Sequence, residues 1–185
     1  MTIYVARTGV FAARHDHVVP WLARARHAFT MKKNDKIAFV GVDPGQSGAL
    51  AIIYDGGVIV QTYDEREYAL LLRTFRGSGY DMHTVVEHVG AMPKQGVSST
   101  FKFGVNFGIV QGMMYALDIP FELVRPQKWK KEFSCTSDKN TSIAVAQRMF
   151  PNVNLKRTPK CTKPHDGVCE ALLMAEYARR KCGNA

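Results

Sequence analysis

KIAFVGVDPGQSGALAII, residues 36–53, decides how the rest of the chain is read. Ile37, Phe39, Val40 and Val42 form a short apolar run rich in β-branched residues, the signature of a buried central strand. Pro44-Gly45 and Gly48 mark a tight turn, and Ala49 to Ile53 resumes the apolar pattern. The stretch therefore predicts strand, turn, strand. Asp43 falls at the end of the first run, so its carboxylate leaves a rigid, dry sheet. By itself an Asp at this place can also do no more than open an Asx-type turn.

Working outward, the pattern predicts strands at 37–43, 48–54 and 58–63, with Gly56-Gly57 supplying the hairpin turn. Three strands joined this tightly make an antiparallel meander. Tyr68, Leu71, Leu72 and Phe75 share one face of a helix from Glu65 to Phe75, which Gly77-Ser78-Gly79 ends. A short strand spans His83 to Val89, with Val85 and Val86 ahead of Glu87. Ser98 or Ser99 caps a helix that runs to about Leu117. Along it Gly104, Gly108 and Gly112 recur every four residues, a stripe that admits another backbone from the chain's own sheet or from a second chain. A strand follows at Phe121–Val124, then a short helix from Pro126 and another over Asp138–Phe150. The basic loop 152–164 leads into a last helix over His165–Lys181.

The 185 residues suit one domain with a proper core. With 46% hydrophobic and 22% charged residues the composition is ordinary for a globular chain. The net charge of +9 and pI of about 9.5 favour a polyanionic partner. No apolar run approaches the roughly 18 residues that span a bilayer, so nucleic acid is preferred to a membrane. Cys135, Cys161, Cys169 and Cys182 contain no CxxC pair and read as free thiols, Cys169 packed in its helix. Residues 1–30 carry Arg7, Arg14, Arg24 and Arg26 against Asp16 and are read as a non-core extension. An organelle transit peptide or a DNA-binding arm are the alternatives. Without them the net charge is still +6, so the basic bias belongs to 31–185, the expected core domain, as well.

Carboxylates recur in comparable settings. Asp43 ends the first strand and Glu87 the fourth. Asp166 and Glu170 lie four apart on one face of the last helix. Each has an ordinary reading: a turn, a lysine partner, a helix cap, a solvated face. Gathered together they would repel, and a hard divalent cation such as Mg²⁺ resolves that with oxygen ligands. Two such ions about 4 Å apart support phosphodiester hydrolysis.

From about Lys36 to Arg180 the chain resembles the RuvC-type Holliday junction resolvases, a branch of the RNase H-like nucleases, and looks closest to their phage and chloroplast members. The resemblance rests on GVDPGQSGALAI, VVEHVGAMPKQGVSST, the Gly-rich FGIVQG, VRPQKWKK and KPHDGVCEALLMAEYARR, in that order. It implies a five-stranded mixed sheet of order 3-2-1-4-5 flanked by helices, and a homodimer that nicks four-way DNA junctions with Mg²⁺, for which Mn²⁺ is expected to substitute. It assigns catalysis and metal binding to Asp43, Glu87, Asp166 and Glu170. Bacterial members usually close with two Asp three apart. Here Asp166 and Glu170 are four apart, as in the chloroplast and phage form. The expected location is the cytoplasm of a phage or bacterial host, or an organelle if 1–30 is a transit peptide.

Around the acidic centre the chain is basic. Ten Lys or Arg lie between Arg125 and Lys163, against Glu132 and Asp138. Lys94, Lys102, Lys128, Lys130, Lys131, Lys163 and His165 are the candidate DNA contacts. Lys163 and His165 directly precede Asp166 and are placed to steady charge on phosphate. Phe101, Phe103 and Phe107 suit core packing first, a dimer seam or stacking on opened bases second. Two other functions compete: a non-catalytic nucleic-acid-binding relative, against which the four carboxylates argue, and an actin-like ATPase, for which 185 residues leave no room for a second lobe.

Overall fold

The computed structural model describes residues 36–88, 90 and 96–183. The expected extension 1–30 and Lys94 lie outside the described residues. Among the described residues five strands and five helices follow one another as β1 (Ile37–Val42), β2 (Ala49–Tyr54), β3 (Gly57–Thr62), α1 (Glu65–Gly77), β4 (Asp81–Glu87), α2 (Val97–Ala116), β5 (Phe121–Val124), α3 (Pro126–Glu132), α4 (Lys139–Met149) and α5 (Asp166–Gly183). The strands form one sheet in the order β3-β2-β1-β4-β5. The meander β1-β2-β3 is antiparallel, whereas β4 and β5 add in parallel to β1. Chain reversal at the hairpin uses Gly57 at φ 126°. Gly56 is not needed in that conformation.

The sheet has two apolar faces because β1 and β2 alternate between them. Ala38, Val40, Val42, Leu50 and Ile52 pack with Tyr68, Leu72 and Phe75 of α1 and Val110 and Met114 of α2. Ala49, Ala51, Val85 and Val124 pack under α5, with Trp129 of α3 and Ala146 of α4 behind. Residues Gly167 to Ala178 of α5 are all buried, as befits a helix that is covered on every side. Its position is set by two glycines. A Cβ on Gly41 of β1 would lie 2.2 Å from the Ala171 carbonyl oxygen and 2.3 Å from the Ala175 nitrogen. A Cβ on Gly167 would lie 2.2 Å from the Ser47 carbonyl oxygen. The helix thus rests backbone to backbone on the central strand and on the turn after it.

The structure departs from the sequence reading on α2. Its N-cap is Gly96, with no side-chain cap hydrogen bond, so neither Ser98 nor Ser99 starts the helix. Asn106, Val110 and Met114 form its buried face. Gly104, Gly108 and Gly112 are on the other side, where an added Cβ would meet nothing within 4 Å among the described residues. The stripe does not pack on the chain's own sheet. Phe103 and Phe107 are half-buried and stacked on each other. Phe101 is 71% exposed and is not a core residue.

Candidate active site

The turn after β1 is a small hydrogen-bonded unit. The Gly45 N–H donates to Asp43 Oδ1 at 2.9 Å, the Gly48 N–H to the Gly45 carbonyl at 2.8 Å, and the Asp43 N–H to the Ala49 carbonyl at 3.0 Å. The Asx turn is therefore real, and it uses Oδ1 to aim the carboxylate. Gly48 is required here, since a Cβ would lie 2.0 Å from the Asp43 carbonyl oxygen. Glu87 closes β4, the parallel neighbour of β1, so both acids leave the sheet at the same end. The first turn of α5 lies over that end because Gly167 touches Ser47, and it delivers Asp166 and Glu170.

These carboxylates feel one another. Burial pushes Asp43 up to about 6, with the negative charges of Glu170 and Asp166 adding to it and the Gly45 N–H and Lys139 opposing it. Burial likewise pushes Glu87 up to about 7; Asp43 and Glu170 add to the rise, and the Trp129 hydrogen bond and Lys130 oppose it. Asp166 behaves differently. Burial would raise it, but Lys139 holds it below the usual carboxylate range.

Three neighbours that sequence reasoning left out order the cluster. The buried Trp129 indole N–H of α3 donates to Glu87 Oε1 at 3.0 Å. Lys139, at the start of α4, is ion-paired with Asp166 Oδ2. Ser142 Oγ, one turn on, lies 3.4 Å from Glu170 Oε1. The Trp within VRPQKWKK and the Lys that follows Asp138 were the available signals. Neither residue carries a local pattern that ties it to a carboxylate.

The candidate DNA contacts divide by position. Lys130 Nζ reaches Glu170 Oε1 at 2.7 Å and so belongs to the acidic cluster itself. Lys128 pairs with Glu122 at 3.0 Å on β5. Lys131 and Lys163 are exposed, and Lys102 is exposed on α2. His165 is half-buried, its Nε2 3.8 Å from Asp166 Oδ1. Its Nδ1 is buried with no hydrogen-bond partner among the described residues, and burial holds the ring below its ordinary pKa.

Among the described residues no three His, Cys, Asp or Glu side chains already stand as a metal-ligand group. The donor set nevertheless fits a hard divalent cation: four carboxylates from β1, β4 and α5 offer only oxygen. Two of them are ion-paired with lysine side chains, and the other two hold their protons more tightly than usual.

The raised pKa of Asp43 has a consequence for stability. The folded protein binds this proton more tightly than the unfolded chain does, so ionisation between about pH 4 and above pH 6 disfavours folding. In chelator, Asp43→Asn is expected to melt with wild type near pH 4 and above it at pH 8, since Asn keeps the bond from Gly45 without the charge. Thermal melts at the two pH values check this. A wild-type protein that outlasts the variant at pH 8 refutes it.

A mixed sheet of order 3-2-1-4-5 with helices on both faces and acids at one end is the RNase H-like architecture. The more particular likeness is to RuvC. Thermus thermophilus RuvC in complex with Holliday junction substrate superposes with TM-score 0.51 at 15% identity, over 80% of this chain and 98% of that one. A second Thermus thermophilus RuvC structure gives TM-score 0.48 at 17% identity, over 78% of this chain and 97% of that one. No protein-family model and no curated protein sequence matches. The chain has the RuvC-type fold.

Proposed function

We propose that this protein is a structure-selective DNA endonuclease that resolves four-way junctions by paired nicks, using divalent cations held by Asp43, Glu87, Asp166 and Glu170. The observation that carries the reading is the meeting of four carboxylates from three elements at one end of the sheet. A purely structural site would not gather acids whose burial and mutual repulsion raise two of their pKa values. RuvC bound to a Holliday junction shares the fold, which makes branched DNA the first substrate to test.

The chemistry that bound cations supply here is activation of water and stabilisation of the leaving oxygen. The chain's own groups prepare the site. Gly45 and Trp129 each fix one oxygen of Asp43 and Glu87. Lys139 holds Asp166 ionised, Lys130 is ion-paired with Glu170, and both lysines are positioned to turn to a phosphate when those acids are otherwise engaged. The exposed Lys131 and Lys163, with Lys102, supply backbone attraction. Nicking of a synthetic four-way junction with Mg²⁺, and its loss in EDTA, tests the reading. Nicking that persists in EDTA overturns it.

Two nicks on strands of like polarity call for two sites, which a two-fold homodimer provides. The outward stripe of Gly104, Gly108 and Gly112 on α2 is the proposed seam. Gly108→Leu is expected to leave the melting temperature nearly unchanged, since nothing within the chain opposes the new side chain, and to shift the protein from dimer to monomer in sedimentation. A variant that remains dimeric places the seam elsewhere. Residues 31–185 are proposed to suffice for this activity.

A further inference from the structure

Tyr68 of α1 is fully buried in the core, yet its hydroxyl has no hydrogen-bond partner among the described residues. Two less buried tyrosines are paired. The Tyr63 O–H donates to Glu65 Oε1 at 3.2 Å, and the Tyr80 O–H to Asp55 Oδ1 at 2.9 Å. A phenylalanine would fill the place of Tyr68 without an unpaired donor, and a buried donor left unmade is destabilising. The hydroxyl therefore adds nothing to the packing of the core.

Its place in the fold gives it another use. β3 ends with Thr62 opposite Ala49, the residue that follows the catalytic turn. The Tyr63 N–H donates to the Gly48 carbonyl at 3.1 Å, so the chain enters α1 against that turn. Asp64 caps the helix through Oδ1, which accepts from the Arg66 and Glu67 N–H groups at 3.0 Å. The Tyr68 N–H closes the first turn on the Asp64 carbonyl at 3.0 Å, and the Tyr68 ring meets that of Tyr63 edge-on at 5.5 Å. The phenol is thereby held near the Asp43 end of β1. Burial pushes its pKa far above the ordinary range, and Asp43 adds more to the rise than any other charge. The group is a permanent donor in the field of a carboxylate.

We propose that Tyr68 is a positioning residue for Asp43, its hydroxyl donating to a single buried water that donates in turn to Asp43 Oδ2. The proposal rests on the metal-dependent endonuclease reading and adds to it the support of one metal ligand. A polar pair beyond direct hydrogen-bond reach is joined by water, and a buried water needs two or more such partners. The Gly45 N–H already takes Oδ1. With a donor on each oxygen the carboxylate is presented in one orientation, and each oxygen keeps a second lone pair for a cation. Partners that orient a metal ligand in this way change metal affinity by about ten- to a hundredfold.

The test is binding of Mn²⁺ to the full-length protein without DNA, measured by calorimetry. Tyr68→Phe, which keeps the ring, is expected to bind Mn²⁺ about tenfold more weakly than wild type, at a nearly unchanged melting temperature in chelator. In the Asp43→Asn background the same substitution is expected to change the affinity by less than about twofold, since the ligand it supports is gone. Nicking by Tyr68→Phe is expected to need about tenfold more Mn²⁺ for half its maximal rate and to recover near the wild-type rate at saturation. A crystal structure of wild type that shows ordered water is expected to place one between Tyr68 Oη and Asp43 Oδ2. Equal Mn²⁺ affinity in wild type and Tyr68→Phe, or no water between the two groups, overturns the proposal. So does an equal loss of affinity in the Asp43→Asn background. A Tyr68→Phe protein that melts well below wild type makes the hydroxyl a fold element and overturns it too. Wild type that binds Mn²⁺ but nicks no junction refutes the endonuclease reading alone and leaves the role of Tyr68 to the binding result.

Discussion

Asp43→Asn is expected to reduce junction nicking by at least about a hundredfold, more than the loss of a group that merely orients a metal ligand, while junction affinity stays within about threefold of wild type. The two readouts separate because they draw on different groups. Asn retains an oxygen for the Gly45 N–H and nearly the same volume, so the turn and its neighbours keep their places. What it removes is the charge that a divalent cation requires. Backbone binding depends instead on cations spread along the basic surface, and affinity does not fall when one buried acid is neutralised. Glu87→Gln is expected to behave in the same way, because the amide oxygen can still accept from Trp129. Trp129→Phe supplies the graded comparison. It leaves the carboxylate but frees its orientation, and a loss of about ten- to a hundredfold is expected. Nicking rates and fluorescence anisotropy on one junction measure both quantities. Full nicking by Asp43→Asn would exclude this carboxylate from the chemistry.

Gly41→Ala is expected to have the largest effect on stability, about 3 kcal/mol or more. Overpacking a core by one methyl usually destabilises by about 1–3 kcal/mol, because flexible side chains give way. At Gly41 the obstacles are the Ala171 carbonyl and the Ala175 nitrogen of α5, at 2.2 and 2.3 Å. Neither can move without the helix. Since α5 carries Asp166 and Glu170, its displacement would also separate them from Asp43 and Glu87. Folding and nicking are therefore expected to fail together, unlike in Asp43→Asn. Denaturant unfolding with a cleavage assay checks this. A stable, active Gly41→Ala protein would show that α5 does not need backbone contact with β1.

Much of this arrangement was legible in residues 36–53. A β-branched run, an Asp, a Pro-Gly turn and a second apolar run have few other solutions, and they placed Asp43 at a strand end. A similar apolar approach through Val85 and Val86 did the same for Glu87. The i,i+4 spacing of Asp166 and Glu170 put them on one helix face. Local signals served less well in α2. A stripe of glycine is compatible with any close neighbour, and only the packed molecule shows that Asn106, Val110 and Met114 face the sheet while the glycines face away. The start of α2 at Gly96 was missed for a similar reason: Ser98 and Ser99 are good capping residues, but the helix begins before them.

The amino-acid sequence by itself determined the elements, the sheet's meander and the four acids, because each depends on periodicity or turn chemistry within a few residues. The tertiary structure alone decided what surrounds those acids. Trp129 reaches Glu87 across 42 residues and Lys139 reaches Asp166 across 27. Such partners are chosen by where α3 and α4 dock against α5, and docking depends on the summed burial of many side chains. No local pattern encodes that. The pKa values of Asp43 and Glu87 follow from the same fact, since burial and neighbouring charge exist only once the chain has closed around them.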